Sequence, residues 1–411
     1  MRVTGERTLL CSVAGAVLAA VATSGAASAQ AADAATIQDL SERIARIEER
    51  EERAVRTVSG VRLTISGYVK TDFILDTDQA LGDTFAVGGI TTDGTGEDSR
   101  FTAHARQTRL ALRTESDTAQ GPLNTLLEFD LFGGRGNEIF SNSHQLRVRH
   151  AMVEWDRLIV GQFWTNFMPI EVYPTTVDFE GPAGIPFIRQ AQIRYTLPVT
   201  PSLTVSASLE NSEFNGRTAD AVFSESTTAG IRAGLDRVPD FTLAATLRED
   251  WGLVKLAGVG RYFSSPTSDD TAFGWGLNLS GQANLWEGGS AMASISGGDG
   301  IGRYIINGFG QDAFVDADGN IDTIRSWGAT VGLSHVFTPT LTGAVTGGLY
   351  RVEDTFAPTD TRELRTVHLS AFYRPVERLT LASEVIYGQR ETADGRTGDN
   401  VRLQAALQVN F

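Results

Sequence analysis

From about residue 61 to residue 411, apolar and polar side chains alternate with the period of two that is typical of β-strands. In the first alternating segment the apolar face is formed by Leu63, Ile65, Val69, Phe73 and Leu75. In the last segment it is formed by Val401, Leu403, Ala405, Leu407, Val409 and Phe411. The pattern therefore predicts an all-β chain in which each strand has one apolar and one polar face.

The connections between these segments alternate in length. Short turns are predicted at 117–121, 155–157, 198–201, 249–252, 286–289, 338–340 and 375–378. Long polar connections are predicted at 77–100, 133–143, 166–187, 212–239, 264–271, 297–322, 352–363 and 389–399. Seven short turns and eight long loops predict a 16-stranded antiparallel sheet with both ends on the short-turn side. An extra strand at 226–237 would break this alternation, so we assign that segment to a loop.

Sandwiches and membrane barrels both show such strands, and the aromatic residues help to separate them. Tryptophan collects at the two interfaces of a membrane barrel. Five of the six tryptophans fall near predicted strand ends, namely Trp155, Trp251, Trp286, Trp275 and Trp327. The last residue, Phe411, closes an alternating strand and resembles the C-terminal signal of bacterial outer-membrane barrels. We therefore expect residues 61–411 to form a transmembrane β-barrel.

Residues 1–29 have the organisation of a secretory signal peptide. Arg2 and Arg7 give a positive start, Leu9–Val21 is apolar, and Ala27–Ala29 offers small residues for cleavage. The single cysteine, Cys11, lies within this segment. The mature chain is therefore expected to be exported and to contain no disulfide.

Residues 30–60 carry a helical pattern. Ile37, Leu40, Ile44 and Ile47 follow spacings of three, four and three, which is the seam of a heptad repeat. Isoleucine at both seam positions favours trimers or tetramers over dimers. The segment predicts a short trimeric coiled coil in the periplasm, and an amphipathic helix docked on its own barrel is the alternative.

Composition excludes two other classes of protein. After the first 30 residues, no apolar run approaches the roughly 18 residues of a membrane-spanning helix. The 411 residues carry a formal net charge of -15, whereas a nucleic-acid-binding protein needs a basic surface. Helical membrane proteins and nucleic-acid partners are thus excluded.

A barrel of about 16 strands is too wide for its own side chains to fill, so an aqueous channel is expected inside. The polar faces predict a basic wall formed by Lys70, Arg109, Arg113, Arg147, Arg149 and Arg194. Guanidinium groups match carboxylates, so this wall predicts a preference for small anions, with dicarboxylates the leading guess. Alternatively, nearby acids neutralise these arginines in a lattice that braces the barrel; the candidates are Glu128, Asp130 and Glu154.

The long connection 166–187 contains four prolines and three acids, which are Glu171, Asp178 and Glu180. Proline stiffens such a loop, and a loop of this length in a compact barrel is usually functional. We expect it to fold inward as a constriction, with its carboxylates opposite the arginine wall. A cap outside the barrel, or a contact with a neighbouring subunit, is the alternative.

Enzymatic chemistry is not predicted. The five histidines show no Ser/His/Asp or metal-ligand spacing, and they are His104, His144, His150, His335 and His368. Asp316–Asn320 resembles the start of a calcium loop but lacks the glutamate at the twelfth position, so we expect an ordinary turn. No cofactor or metal is predicted. A barrel that links the membrane to the cell wall is the main alternative to a channel, and an outer-membrane hydrolase is the weaker one.

Five short motifs occur in an order that resembles one known family. They are Gly67–Phe73, Arg106–Leu110, Leu146–Ala151, Gly161–Thr165 and Gly300–Tyr304. With the export signal and the coil, they resemble the DcaP-like trimeric porins of Gram-negative outer membranes over nearly the whole chain. The resemblance implies a 16-stranded homotrimer in outer-membrane lipid, with a periplasmic coiled coil and a channel suited to small carboxylates.

Overall fold

The computed structural model describes residues 56–411, apart from residues 59, 96–98, 135–136, 219–221, 224–236, 266–267 and 306–309. The predicted signal peptide and most of the predicted coiled-coil segment therefore lie outside the described residues. Arg56–Val58, which we assigned to the coiled coil, is instead a short strand paired with residues 61–63. The turn between them contains Gly60 at φ +79°, a conformation that glycine adopts without strain.

Sixteen strands form one closed antiparallel sheet, and we number them β1 to β16 in chain order. The first eight are β1 Val61–Asp76, β2 Arg100–His104 continued by Arg109–Thr118, β3 Gly121–Asp130, β4 Arg147–Trp155, β5 Leu158–Trp164, β6 Arg189–Pro198, β7 Leu203–Glu210 and β8 Asp240–Glu249. The others are β9 Gly252–Ser264, β10 Thr271–Trp286, β11 Gly289–Asp299, β12 Arg325–Thr338, β13 Leu341–Val352, β14 Thr361–Val376, β15 Leu379–Thr392 and β16 Thr397–Asn410. The predicted strand number is confirmed.

The ring closes through β1. This strand pairs on one side with both pieces of β2 and on the other side with β16. At the end of the β1–β16 seam, the Phe411 N–H donates to the Gly67 carbonyl oxygen at 3.0 Å. Closure pairs the backbone groups of every strand, which is what a sheet in hydrocarbon requires. No helix in the described part of the chain is long and apolar enough to cross a membrane.

Side-chain exposure is reversed relative to a water-soluble sheet protein. Along β10, Phe273, Trp275, Leu277 and Leu279 are 48% to 65% exposed, whereas Asn278 between them is fully buried. The apolar faces thus point outward and the polar faces inward. An outward apolar band of this kind is stable when lipid surrounds it.

Tryptophan marks the rims of this band. Trp155, Trp251 and Trp286 lie at short turns and are 46% to 47% exposed. Trp275 and Trp327 lie near the long-loop ends of β10 and β12. This distribution matches the two interfacial belts predicted from the sequence.

Shorter elements occur in the long loops. They are the helix Glu138–Ser141, the 3-10 helices Val87–Gly89, Ile170–Val172 and Gly302–Tyr304, and a small sheet of Gly216–Thr218, Val222–Phe223, Ala313–Val315 and Ile321–Thr323. The segment 226–237, considered above for an extra strand, lies outside the described residues except for Arg237. β7 and β8 pair directly, from Glu210 with Asp240 to Leu203 with Leu247.

Parts of three long loops pack inside the barrel, where the sequence predicts only one. Residues of 77–95, 166–187 and 300–305 share one buried core with inward-facing strand residues, and its larger members are Phe85, Val87, Ile90, Phe167, Ile301, Tyr304, Ile305, Val259, Tyr350, Leu364 and Ile386. The apolar residues of these loops follow no regular spacing, so the sequence pattern did not predict that the loops pack inside the barrel. The loops supply the apolar filling that a wide barrel cannot provide from its strands alone.

Candidate functional site

The inward faces of β3 and β4 place arginines and carboxylates in contact. Arg147 holds Asp130 through two hydrogen bonds, from Nε at 2.9 Å and from Nη2 at 2.7 Å. Arg149 donates to Glu128 at 2.6 Å and to Asp130 at 3.0 Å. This part of the wall is the arginine–carboxylate lattice that the sequence offered as the alternative. Such pairs brace the barrel and reduce the positive charge that a solute meets.

A β-bulge between Glu128 and Phe129 turns two consecutive residues of β4 into the barrel. Phe129 pairs with Val148 and Glu128 pairs with His150, so that Arg149 has no partner residue opposite it. Arg149 and His150 are consequently both buried, at 3% and 4% exposure. A bulge of this kind changes the alternation at one position, which a strict period of two does not predict.

The other predicted wall arginines differ in accessibility, because Arg113 is exposed whereas Arg109 and Arg194 are half-buried. Arg113 lies on the same face of β2 as Arg109, is exposed, and has no ion pair within the residues that the structure describes. Arg109 Nε is 3.8 Å from Glu128, which is an ion pair without a hydrogen bond. Arg194 donates to Gln192 at 2.9 Å and to the Trp164 carbonyl.

The side chains of Arg147 and Arg149 differ in exposure, and Glu154 pairs with neither of them. The Arg147 side chain is 31% exposed despite its ion pair, whereas that of Arg149 is 4% exposed. Glu154, predicted to neutralise an arginine, instead accepts a hydrogen bond from Asn124 at 3.4 Å. Arg113, Arg147 and Arg194 therefore remain able to contact a solute.

Aromatic rings fix the orientation of several guanidinium groups. Arg147 Cζ lies 5.2 Å from the ring centre of Phe132 and 5.4 Å from that of Phe179. Arg189, which sequence reasoning missed because it directly follows the long loop, lies 4.8 Å from the ring centre of Trp164. Stacking leaves the N–H edges of a guanidinium free to donate to an anion.

Lys70 differs from the arginines, because it is buried at 5% exposure. Its Nζ donates to the Gln107 side chain at 2.5 Å and to the Val177 carbonyl at 2.8 Å, and it lies 3.0 Å from Asp72. The lysine therefore holds loop 166–187 instead of facing the channel. The prediction that it lines the pore is wrong in this respect.

The three loop acids occupy two environments. Glu171 is exposed in the 3-10 helix Ile170–Val172 and interacts electrostatically with Arg194 and Lys255. Asp178 is buried against β16, 3.5 Å from Arg402. The expectation that all three face the arginine wall is therefore wrong for Asp178, because a buried carboxylate requires a cation and its nearest one is on β16.

Burial governs the protonation of the two buried loop acids. Burial raises the pKa of Asp178, although the Arg402 guanidinium opposes this shift. Burial, and then the neighbouring Asp178 carboxylate, raise the pKa of Glu180 to about 7. Both groups therefore hold protons more tightly than an exposed acid does.

Loop 166–187 is attached at several points around the barrel. Lys255 of β9 donates to the Met168 carbonyl at 2.7 Å, and the Asn166 side chain donates to the Ser206 carbonyl at 3.1 Å. At the opposite wall, a Cβ at Gly328 would lie 2.2 Å from the Gly184 oxygen, and one at Gly348 would lie 2.3 Å from the Ala183 oxygen. Glycine at these two strand positions permits the close approach of the loop.

Two fully buried arginines were also missed from the sequence. Arg402 binds Asp76 through Nε at 2.7 Å and Nη2 at 2.9 Å. Arg261 lies 3.1 Å from Asp240 and 2.7 Å from Asp312, which joins the loop after β11 to the wall. Both arginines lie on the polar face of an alternating strand, so their inward direction was readable, whereas their acidic partners were not.

The remaining candidate groups have structural partners. His335 accepts a hydrogen bond from the Trp286 indole at 3.0 Å, and His150 packs against Phe163 and Trp164. Asp316 accepts hydrogen bonds from the backbone N–H groups of Asp318 and Asn320, as in an ordinary Asx turn. Within the described ranges, no group of three or more potential metal ligands comes together.

A closed barrel with an apolar outer surface, a charged interior and inward loops defines an outer-membrane channel protein of the porin class. The chain belongs to the DcaP outer membrane protein family, whose model matches residues 59–411. The resemblance stated from the motifs is thereby confirmed. The protein is accordingly located in the outer membrane.

Solved structures support the same fold. The crystal structure of the outer membrane channel DcaP of Acinetobacter baumannii is 21% identical, covers 87% of this chain and 99% of that chain, and superposes with a TM-score of 0.77. An anion-selective porin from Comamonas acidovorans is 12% identical, covers 85% and 100%, and has a TM-score of 0.54. The trimer form of OmpT from Vibrio cholerae is 12% identical, covers 86% and 100%, and has a TM-score of 0.54. No curated protein sequence matches the chain.

Proposed function

We propose that the protein is a diffusion channel for small hydrophilic solutes that favours small anions, with dicarboxylates the leading class. The observation that carries this proposal is that Arg113, on the inward face of β2, is exposed and has no ion pair among the described residues, whereas the inward acids Glu115, Glu128 and Asp130 are each paired with an arginine. The arginines on the inward faces of β2 to β6 include Arg109, Arg113, Arg147, Arg149 and Arg194, and the acids among them include Glu115, Glu128, Asp130 and Glu154. A positive lining at a narrow point attracts anions and opposes the passage of cations.

The inward loops contribute to the proposal. We infer that loop 166–187, together with residues 77–95 and 300–305, narrows the lumen and directs solutes along the arginine face. The support is that these loops pack against inward residues of β9, β13, β14 and β15. The arginine face of β2 to β6 carries the accessible charges, because Arg113, Arg147 and Arg194 are exposed or partly exposed.

Reversal potentials in a salt gradient test the selectivity. The full-length protein in a planar bilayer is expected to prefer chloride over potassium, and Arg113→Gln is expected to reduce that preference. Arg325→Gln is the matched control, because Arg325 is 66% exposed at the outer rim and pairs with Asp354. A clear cation preference of the unaltered protein would contradict the proposal.

Liposome swelling separates a channel from a barrel that serves only as an envelope link. We expect entry of a dicarboxylate to be faster than entry of a diamine of the same length, with a neutral sugar between them. Absence of entry for all three solutes would favour the structural role.

We further propose that the protein is a homotrimer whose subunits meet along the wall formed by β3 to β7. Strands β5 and β7 have seven and eight residues, whereas β10 and β12 have 16 and 14. At about 3.3 Å per residue and a tilt of about 40°, seven residues span about 18 Å, less than the apolar band of about 25 Å. A second copy beside this low wall would cover backbone that lipid cannot satisfy.

The outer surface of the low wall is suited to such a contact. The hydroxyl groups of Thr114 and Thr125 are hydrogen-bonded to each other at 2.6 Å on the outward face. Beside them is an apolar hollow of about 370 Å³, lined by Leu123, Val153, Trp155, Leu158 and Val160. Phe140, in the loop above this wall, is 87% exposed. One matched structure, that of Vibrio cholerae OmpT, is described as a trimer form.

The amino-terminal segment completes the proposal. We propose that residues 1–29 direct export and are removed, and that the heptad pattern within 30–55 forms a periplasmic coiled coil that reinforces the trimer. Deletion of residues 30–55 from the mature protein tests this. An unchanged oligomer mass in detergent would show that the coil does not determine assembly.

A further inference from the structure

A buried charge cluster joins two inward loops to the wall formed by β14, β15, β16 and β1. We call it the latch cluster, and its members are Lys70 and Asp72 and Asp76 of β1, Asp178 and Glu180 of loop 166–187, His368 of β14, Glu384 of β15 and Arg402 of β16. The side chains of Arg402, Asp178, His368 and Glu384 are all fully buried. Water therefore screens these charges very little.

Asp178 is the centre of this network. Its backbone N–H donates to Glu384 Oε2 at 2.7 Å, which attaches loop 166–187 to β15. Its carboxylate accepts the Phe85 N–H at 3.0 Å, which attaches loop 77–95 to the same point. Arg402 also donates to the Gly82 carbonyl at 2.9 Å. The two loops are thus held through one set of charged groups.

The latch cluster contains more acids than bases. Its five carboxylates face two fixed cations, Lys70 and Arg402, which leaves three negative charges in excess when both histidine and acids are unprotonated. Beyond the cluster, the facing charged and titratable groups are His104 of β2, Tyr173 of the loop, and the pair of Asp83 with Arg106. Arg147 and Arg149 of β4 also face it, with their guanidinium carbons 5.4 Å from the ring centre of Phe179. Burying an uncompensated negative charge is unfavourable by several kcal/mol per charge. Protons are the simplest compensation.

Several polar atoms of the latch cluster are also left without a hydrogen-bond partner. Among the described residues, Glu180 Oε2 and Asp72 Oδ2 are buried without a hydrogen-bond partner, and neither ring nitrogen of His368 forms a hydrogen bond. His368 Nδ1 nevertheless points at Glu384 Oε1 from 3.4 Å. A fully buried imidazole therefore lies beside a fully buried carboxylate.

We propose that the latch cluster is a proton-binding site that holds loops 77–95 and 166–187 against the wall of β14, β15, β16 and β1 when protonated and loosens them when it loses protons. The proposal rests on the proposed role of loop 166–187 in narrowing the lumen. It is independent of which ion the channel prefers. The consequence is a channel that widens as the pH rises.

The direction of the pH effect follows from proton linkage. Glu180 has a pKa of about 7 when the loop is docked, and an ordinary value of 4.5 when the loop is exposed to solvent. The docked state therefore binds more protons, so docking is strongest below the ordinary pKa and weakens as the pH rises toward 7. Above that pH the effect levels off.

Single-channel conductance of the full-length protein between about pH 4.5 and about pH 8.5 tests the proposal. We expect the conductance to rise with pH and to reach its plateau just above pH 7, after division by the conductance of the bulk electrolyte. Glu180→Gln removes the titrating acid and is expected to abolish most of this rise. Glu377→Gln, on an exposed periplasmic turn, is the matched control and should keep the unaltered profile.

Two results would overturn the proposal. One is a normalised conductance that is independent of pH in the unaltered protein. The other is an unchanged pH profile in folded Glu180→Gln and in Asp178→Asn, which serves as the second variant if Glu180→Gln does not fold. Reversal potentials recorded on the same channels separate this outcome from failure of the proposed selectivity, because they report the ion preference and not the loop position.

Discussion

The ammonium group of Lys70 lies 2.8 Å from the main-chain carbonyl oxygen of Val177, a residue 107 positions further along the chain. From β9, Lys255 makes the equivalent contact with the Met168 carbonyl at 2.7 Å. Two buried lysines thus bind backbone oxygens of the same loop from different parts of the barrel. Their role is to position loop 166–187.

Replacing Lys70 should affect loop position more than ion preference. Lys70→Met removes the hydrogen bond to Val177 and leaves Asp72 buried without its cation. We expect a larger or less steady single-channel conductance with a nearly unchanged reversal potential, because the ammonium group is not open to the channel. Arg113→Gln should give the opposite pattern. A loss of anion preference in Lys70→Met at normal conductance would show that the lysine faces solutes after all.

Adjacent glycines of β13 provide a paired test of loop docking. A Cβ at Gly348 would lie 2.3 Å from the Ala183 oxygen, so Gly348→Ala should displace loop 166–187 and increase conductance. Gly347 points outward, and its nearest atoms are 3.9 Å away, so Gly347→Ala should leave conductance unchanged. Planar-bilayer recording of both variants checks this. Equal conductances would mean that the loop does not limit ion flow.

Stability should depend on Arg402 far more than on a rim arginine. Arg402→Met leaves the carboxylates of Asp76 and Asp178 buried without their cation, which typically costs about 3–5 kcal/mol. Arg365 pairs with Glu363, but its side chain is 58% exposed, so Arg365→Met should cost about 0–1 kcal/mol. Urea unfolding in detergent or lipid vesicles measures the difference. Similar losses for the two variants would argue against a tightly held latch cluster.

A charge on the low wall should disrupt assembly. Leu127 of β3 is 37% exposed on the outer face of this wall. Leu369 of β14, which lies outside the low wall, is 56% exposed on the outer face of the barrel. We expect Leu127→Arg to convert trimers into monomers in native gels, while Leu369→Arg keeps the trimer and loses only some stability in lipid. Trimers in both variants would place the subunit contact on another wall.

The number of strands and the direction of most side chains followed from the sequence. Alternation is a property of each strand alone, and the lengths of turns and loops show how successive strands connect. The inward direction of Arg109, Arg147 and Arg194 could therefore be predicted. Arg149 also lies on the inward face of its strand, but the burial of His150 beside it depends on a bulge that the pattern does not reveal.

The partners of these inward charges were decided by the tertiary structure. Asp178 and Arg402 are 224 residues apart, and they meet because the ring brings β16 next to β1 and the loop crosses to that wall. The same holds for Lys70. It lies on the polar face of β1, as the sequence indicates, but it holds loop 166–187 and does not line the channel. Sequence determined which way each strand faces, because that depends on neighbouring residues along the chain. The tertiary structure decided which charges are neutralised and which stay accessible. The pairing of charges depends on the paths of the long loops, and no repeating pattern in the sequence predicts those paths.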